Sequence, residues 1–266
     1  MFTVRFEKDG KIQYGKLENN SIEAFAGEPF GTPMLTGERY ALEEVQLLAP
    51  CRPSKVICLG LNYRDHAEEF QFEIPKWPIL FMKPQTAVTG HGAEIIYPND
   101  MSRRLDYEAE LAVVIGKTAK DVAKEQAMDY VFGYTCGNDV TARDLQPKNG
   151  QWTIAKSFDT FMPLGPVIAT DVNPQDLKIE AVLNGEVKQS SNTGNLIFDV
   201  PYLVHYISNI MTLHPGDVIM TGTSSGVGPM QAGDSITVRI EGIGELVNTV
   251  ALKYPNGGKA PKTCEK

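Results

Sequence analysis

The stretch DYEAELAVVIG, residues 106–116, constrains this chain more than any other. Side chains alternate between the faces of a strand, so Asp106, Glu108 and Glu110 share one side, and Tyr107, Ala109 and Leu111 the other. Three carboxylates on one face repel each other unless water or a cation screens them. A solvated strand edge meets that requirement. The continuation LAVVIG, however, has the make-up of a core strand. Acids that lead directly into a buried strand can line the cleft at its end. Two Glu oxygens at successive same-face positions can both reach one hard cation, as magnesium or calcium requires.

Other classes of function are excluded by simple properties of the chain. Its 266 residues suffice to bury a real core. A formal charge of −8 argues against a nucleic-acid partner, which would call for a basic face. The four cysteines form no C-x-x-C pair, so a thiolate zinc site is not expected. So few thiols suit a reducing cytoplasm. The first residues, MFTVRFEKDGK, lack the apolar core of a signal peptide. No apolar run approaches the roughly 18 residues of a membrane span. A soluble, cytoplasmic protein without membrane partners is expected.

The pattern along the chain predicts an α+β fold in which β predominates. FTVRFE and KIQYGKLE flank the turn pair Asp9-Gly10 and open a β-meander. A brief helical stretch falls near Leu42 to Val45. Residues 1–50 read as a small N-terminal β subdomain, with the joint at Pro50-Cys51-Arg52-Pro53. A second, larger domain is expected over 51–253, and the Gly-, Pro- and Lys-rich stretch 254–266 as a flexible tail. SKVICLG reads as a buried strand, NYRDHAEEF as a short helix, and 71–78, with two prolines, as a loop or lid. Residues 121–131 are expected to be helical, with strands around 166–170, 178–183 and 236–241. Asp199 and Pro201 open a helix whose buried face is Leu203, Ile207, Ile210 and Met211.

Further groups bear on chemistry. In GNDVTARDLQ, Asp139 is either an N-cap or one of three residues, with Arg143 and Gln146, on a single helix face. That set suits a metal-chelating acid, and equally a surface ion-pair ladder. His66 and Glu69 are spaced i, i+3, so the carboxylate can orient the imidazole as a base; the alternative is a charged surface helix. Lys156 follows an apolar stretch and is either a cleft-lining ammonium or an exposed one. MTGTSSGVG follows a strand and can offer backbone N–H groups to an anion, but it lacks the Gly-Lys-Ser/Thr ending of a P-loop. His91, His205 and His214 have no partners at ligand spacing and read as structural.

Taken in order, the strings PSKVICLGLNYRDHAEE, FMKP, DYEAELAVVIG, GYTCGNDVTARDLQ, AKSFDTFMPLGP and LHPGDVIMTGTSSGVG give a resemblance over about Leu47 to Val250. The chain resembles the fumarylacetoacetate hydrolase superfamily, and most closely its compact branch of isomerases, acylpyruvases and oxaloacetate decarboxylases. The resemblance implies a mixed β-sheet roll in several layers with short helices, and a homodimer. It implies Glu108, Glu110 and Asp139 as ligands of Mg²⁺, with Mn²⁺ or Ca²⁺ as substitutes. His66, Glu69 and Lys156 match the catalytic positions, and Arg143, Gln146, Gly222 and Thr223 the substrate contacts. A further aspartate ligand found before the histidine in the longer enzymes has no counterpart in PSKVICLGLN, which argues against fumarylacetoacetate as substrate. Ser224 stands where the family has proline after TGT.

The chemistry implied is that of small oxo acids, with a metal-stabilised enolate. Attack of water gives hydrolysis of an acylpyruvate. Loss of a distal carboxylate gives decarboxylation of an oxaloacetate-like acid. Movement of a proton alone gives an isomerase or tautomerase acting, for example, on 2-hydroxyhepta-2,4-diene-1,7-dioate. Two other readings are a Schiff base on Lys156 and a catalytically silent oxo-acid-binding or scaffold protein.

Overall fold

The structure is a computed structural model, describing residues 1–148 and 150–254. The expected tail therefore lies, past Tyr254, outside the described residues. Strands dominate, in three sheets, with three short α-helices: α1 (Arg64–Phe70), α2 (Thr153–Lys156) and α3 (Val200–Ile210). The predominantly β, α+β expectation holds.

The largest sheet has twelve strands. Its central run is Phe2–Lys8, Met162–Ala169, Val131–Asn138, Ala109–Ile115, Val218–Thr223, Val56–Gly60 and Ile79–Lys83. The meander of residues 1–50 continues this sheet rather than forming one of its own, because Phe2 and Thr3 pair with Ala169 and Ile168. The Asp9-Gly10 turn has both residues at positive φ, 52° and 77°, as a tight two-residue hairpin requires. A five-stranded sheet contains Lys178–Leu183, Ser235–Ile240 and Gly244–Leu252. A three-stranded sheet joins Leu105–Tyr107 to Thr141–Ala142 and Gly228–Met230.

Ala109–Ile115 is buried along its whole length because both faces are covered. Leu111, Val113 and Ile115 pack in one core with Ile179, Ile236, Val238 and Leu246 of the five-stranded sheet. Ala112 and Val114 face a second core with Val56, Cys58, Leu164 and Met220. A strand sandwiched in this way needs a continuous apolar run, and LAVVI supplies it.

Local expectations differ from the structure in three places. Residues 124–130 form a 3-10 helix, and the chain is already a strand from Val131. In α3, Leu203 and Ile207 are buried but Ile210 is 53% exposed, since the last turn runs past the core. Asp199 does cap that helix, accepting from the Tyr202 N–H at 2.8 Å. The third difference concerns Asp139. The segment after it is a two-residue strand, Thr141–Ala142, then a 3-10 turn, Arg143–Leu145, capped by no side chain. Asp139 is therefore no N-cap, and it shares no helix face with Arg143 and Gln146.

Candidate metal centre and its cleft

The chain changes sheets at Glu108. Leu105–Tyr107 belongs to the three-stranded sheet and Ala109–Ile115 to the large one, so Glu108 lies between two ladders. Its N–H donates to Asn138 Oδ1 at 3.0 Å, and its carbonyl accepts from Asp139 N–H at 2.9 Å. These bonds fix Glu108 beside Asp139. Glu110, two residues on, accepts from the Gly222 N–H at 2.8 Å. Gly222 has φ +91°, and a Cβ there would meet Asn62 Cβ at 2.8 Å, so only glycine allows this approach. Oxygens of Glu108, Glu110 and Asp139 all lie within 4.8 Å of one another. The three residues are only 7%, 1% and 0% exposed.

Three cations brace this floor. Lys156, at the end of α2 and 2% exposed, donates to Glu108 Oε2 at 2.9 Å and Asp139 Oδ2 at 2.6 Å. Arg143 donates to Glu108 Oε1. Lys83 pairs with Asp139 Oδ1 and also donates to the carbonyls of Val140 and Phe161, which uses two of its three protons and leaves the third for the carboxylate. Burial opposes ionisation of Glu108, but Lys156 and Arg143 outweigh it and hold the carboxyl well below its usual range. For Glu110, burial and the charges of Asp139 and Glu108 push the carboxyl far upward. Burial also works against the charge on Lys156, yet Asp139 and Glu108 raise it above the usual lysine value.

The donor set fits a hard divalent cation. It consists of three buried carboxylates, of which Glu110 has no cationic side chain paired with it among the described residues. Magnesium, manganese and calcium all favour such oxygen ligands.

Above this floor lies a cleft of about 840 Å³, lined by His66, Phe70, Phe72, Phe81, Arg104, Asp106, Glu108, Arg143, Gln146, Lys148, Trp152, Lys156 and Thr223 among others. His66 stands on α1 with its Nδ1 3.5 Å from Glu69 Oε2. That spacing pairs the two groups without a formed hydrogen bond, and Nδ1 has no other partner. Glu69 also accepts from the Gly226 N–H at 3.2 Å, which ties α1 to the loop after Thr223. Burial lowers the His66 pKa below its ordinary 6.5, against the opposing pull of Glu108 and Glu69. The imidazole is therefore neutral at pH 7 and able to accept a proton.

The structure thus brings His66, Glu108, Arg143, Gln146, Lys156 and Thr223 to one cleft, with Glu110 and Asp139 in its floor. Arg143 donates to Gln146 Oε1, which fixes the amide. Asp106 precedes the switch between sheets, pairs with arginines, and takes no part in the carboxylate cluster. The Gly222 N–H holds Glu110. Thr223 lines the cleft, and its hydroxyl donates to the Ala109 carbonyl at 2.9 Å and accepts from Gln189 Nε2 at 2.9 Å.

Several supports were not legible in the sequence. Asn138 holds Glu108, Gln189 accepts from Ala109 N–H at 2.9 Å, and Lys83 neutralises Asp139. The signals for Lys83 were its place at the end of the apolar string ILFMK and in the family string FMKP, neither of which showed its partner.

An all-oxygen donor set that could hold a cation lies under a cleft with a histidine and a buried lysine. Residues 55–251 match the model of the family described as fumarylacetoacetate (FAA) hydrolase C-terminal, and residues 1–50 match one described as Rv2993c-like, N-terminal. The chain belongs to the fumarylacetoacetate hydrolase family, and is an enzyme of that family. It is 46% identical to the oxaloacetate tautomerase YisK of Bacillus subtilis over 79% of this chain and 75% of that one. The crystal structure of 2-hydroxyhepta-2,4-diene-1,7-dioate isomerase from Mycobacterium marinum superposes with a TM-score of 0.89 at 44% identity, over 95% and 99% of the two chains. Maleylpyruvate hydrolase from Sphingobium sp. SYK-6, in complex with manganese(II) ion and pyruvate, gives a TM-score of 0.80 at 30% identity, over 96% and 100%. The isomerase and tautomerase relatives place this chain in the compact branch of the family.

Proposed function

We propose that the protein is a divalent-cation-dependent enzyme, using Mg²⁺ or Mn²⁺, that moves a proton on small 2-oxo acids and so interconverts their keto and enol forms. The observation that carries this reading is the convergence of Glu108, Glu110 and Asp139 under a cleft that a neutral His66 also lines. These three residues would hold the cation, which supplies Lewis-acid stabilisation of the enolate oxygen.

His66 takes the proton from the carbon next to the keto group, with Glu69 offsetting the imidazolium as it forms. Return of the proton to oxygen gives the enol. Lys156 and Arg143 balance the acid's charge as well as that of Glu108. Lys156 is a poor Schiff-base nucleophile here, because its ammonium is held protonated by two carboxylates. The tautomerase and isomerase relatives support proton transfer as the core step.

A second reading uses the same residues for C–C bond hydrolysis or decarboxylation of acylpyruvate-like or oxaloacetate-like acids. The His66–Glu69 pair, 3.5 Å apart, suits activation of water as well as of carbon acids, and a relative named maleylpyruvate hydrolase supports this reading. A panel of oxaloacetate, acylpyruvates and hydroxydienoates, each with and without cation, tests both readings. Proton exchange at the carbon next to the keto group without bond cleavage supports the first. Release of pyruvate supports the second. Activity indifferent to a chelator, or unchanged in Glu108→Ala, contradicts both.

A further inference from the structure

Asp106 was singled out by the sequence, yet it has no share in the cation site. It is fully buried, so its charge must be matched by partners within the protein. Both partners are guanidinium groups: Oδ1 accepts from Arg104 Nε at 2.9 Å, and Oδ2 from Arg143 Nε at 2.9 Å. Asp106 therefore orients two arginines through their Nε edges and leaves their terminal nitrogens to face other groups.

The two arginines differ in what remains. Arg143 spends its terminal nitrogens on Gln146 Oε1 and Glu108 Oε1. Arg104 is about half exposed, lines the same cleft, and makes no further side-chain hydrogen bond or ion pair among the described residues. Its two terminal nitrogens are a pre-oriented fork with no protein acceptor. Of the other cations in the cleft, Lys156 is committed to Glu108 and Asp139. Lys148 makes no ion pair among the described residues, but it is exposed and nothing fixes its ammonium.

We propose that Arg104 determines substrate specificity by binding a second carboxylate of the oxo acid, with Asp106 as its positioning residue. The substrate class is then the dicarboxylic 2-oxo acids. One carboxylate and the keto oxygen go to the cation floor, and the distal carboxylate goes to Arg104 near the rim. A guanidinium matches a carboxylate with two parallel N–H···O bonds, a geometry that an ammonium cannot reproduce. The carboxylate at the other edge of the guanidinium holds the fork still before substrate arrives, which reduces the ordering cost of binding. Phe70, Phe72, Phe81 and Trp152 give the cleft an apolar wall that offers nothing to a distal charge.

The inference rests on the oxo-acid reading above, and the test separates the two. Binding of oxaloacetate and of 2-oxobutanoate, which carries a methyl group in place of the distal carboxylate, is measured by calorimetry in the presence of Mg²⁺. Wild-type protein and Arg104→Leu, Arg104→Lys and Lys148→Met variants are compared. Deuterium incorporation next to the keto group gives kcat and KM for the same pairs. The wild type should prefer the dicarboxylate by about 10- to 100-fold, the value of one charge-assisted pair. Arg104→Leu should abolish that preference by weakening oxaloacetate binding about 10- to 100-fold more than 2-oxobutanoate binding. Arg104→Lys should recover it in part, and Lys148→Met should retain most of it. Preference retained in Arg104→Leu, or lost in Lys148→Met alone, overturns the assignment. If neither acid binds the wild type, the oxo-acid reading fails first. If both bind equally well, that reading stands and the role of Arg104 falls.

Discussion

Glu108, Glu110 and Asp139 sit at junctions of buried strands, whereas His66 rides on a seven-residue helix that leads into an irregular segment. The first region is held by backbone ladders and by side chains that are themselves buried: Asn138, Gln189, Lys83 and Lys156. The second leaves Phe70, Phe72, Ile74 and Trp77 between 45% and 57% exposed. It is attached by single contacts such as Arg64 to the Leu196 carbonyl and Gly226 N–H to Glu69. A helix so short gains little from its own hydrogen bonds and depends on such tethers. The difference teaches a division of labour. Carboxylates that must share one cation need rigid placement, because their mutual repulsion would spread them. A base that must meet a substrate needs access, and the wall that bears it has apolar side chains to spare for covering one.

Variants can break this division or sharpen it. The largest effect is expected in the floor. Glu110→Ala should lower cation-dependent turnover on the order of 10³-fold, corresponding to several kcal/mol of charge stabilisation. Calorimetry should show the loss of cation binding alongside it. In the wall, His66→Ala should cost about 10²-fold in kcat. Its cation affinity should match the wild type, and a parallel loss would erase the distinction between the two regions.

A smaller change tests the supports. Asn138→Ala frees the Glu108 N–H and should weaken cation binding by about 10-fold or more, as loss of a group holding a ligand does. Turnover at saturating cation should be largely restored. Gly222→Ala forces a side chain into φ +91° and against Asn62. It should lower stability by roughly 1–3 kcal/mol in chemical denaturation. The same type of substitution on the exposed rim, Phe72→Ala, should leave stability nearly unchanged.

The pH dependence is the mildest of these effects. His66 is neutral in the folded protein because burial disfavours its charged form, so its folded pKa lies below 6.5. The unfolded chain then binds the extra proton first as pH falls. The His66 contribution to stability is full above pH 6.5 and is lost below it. Turnover should follow an acid limb with its midpoint below pH 6.5, absent in His66 variants under proton-transfer conditions. A midpoint above 6.5 would mean that the charged form is favoured, contrary to the effect of burial on His66.

The parts of the site legible in the sequence were those with a local period. Alternation in DYEAE placed Glu108 and Glu110 on one side, and LAVVI marked the core strand they lead into. The same alternation put Asp106 on that side, where it lines the cleft with Glu108 and shares Arg143 with it, but a period of two cannot show where a strand changes sheets and so which acids converge. Asp139 looked like a helix cap on pattern alone, and only its place in a series of ordered motifs identified it as a ligand candidate. Lys83 and Asn138 lie in quoted strings, but their roles, like that of Gln189, were not readable because they depend on strands distant in sequence. Ile210 was assigned to the buried face because periodicity continues to the last turn of a helix, whether or not the core does.

The central claim is most directly tested by anomalous diffraction from crystals grown with Mn²⁺. A single strong peak enclosed by oxygens of Glu108, Glu110 and Asp139, with Lys156 still beside Glu108, is the predicted result. A peak elsewhere, or none in the cleft while Lys156 alone bridges the carboxylates at saturating Mn²⁺, would contradict it.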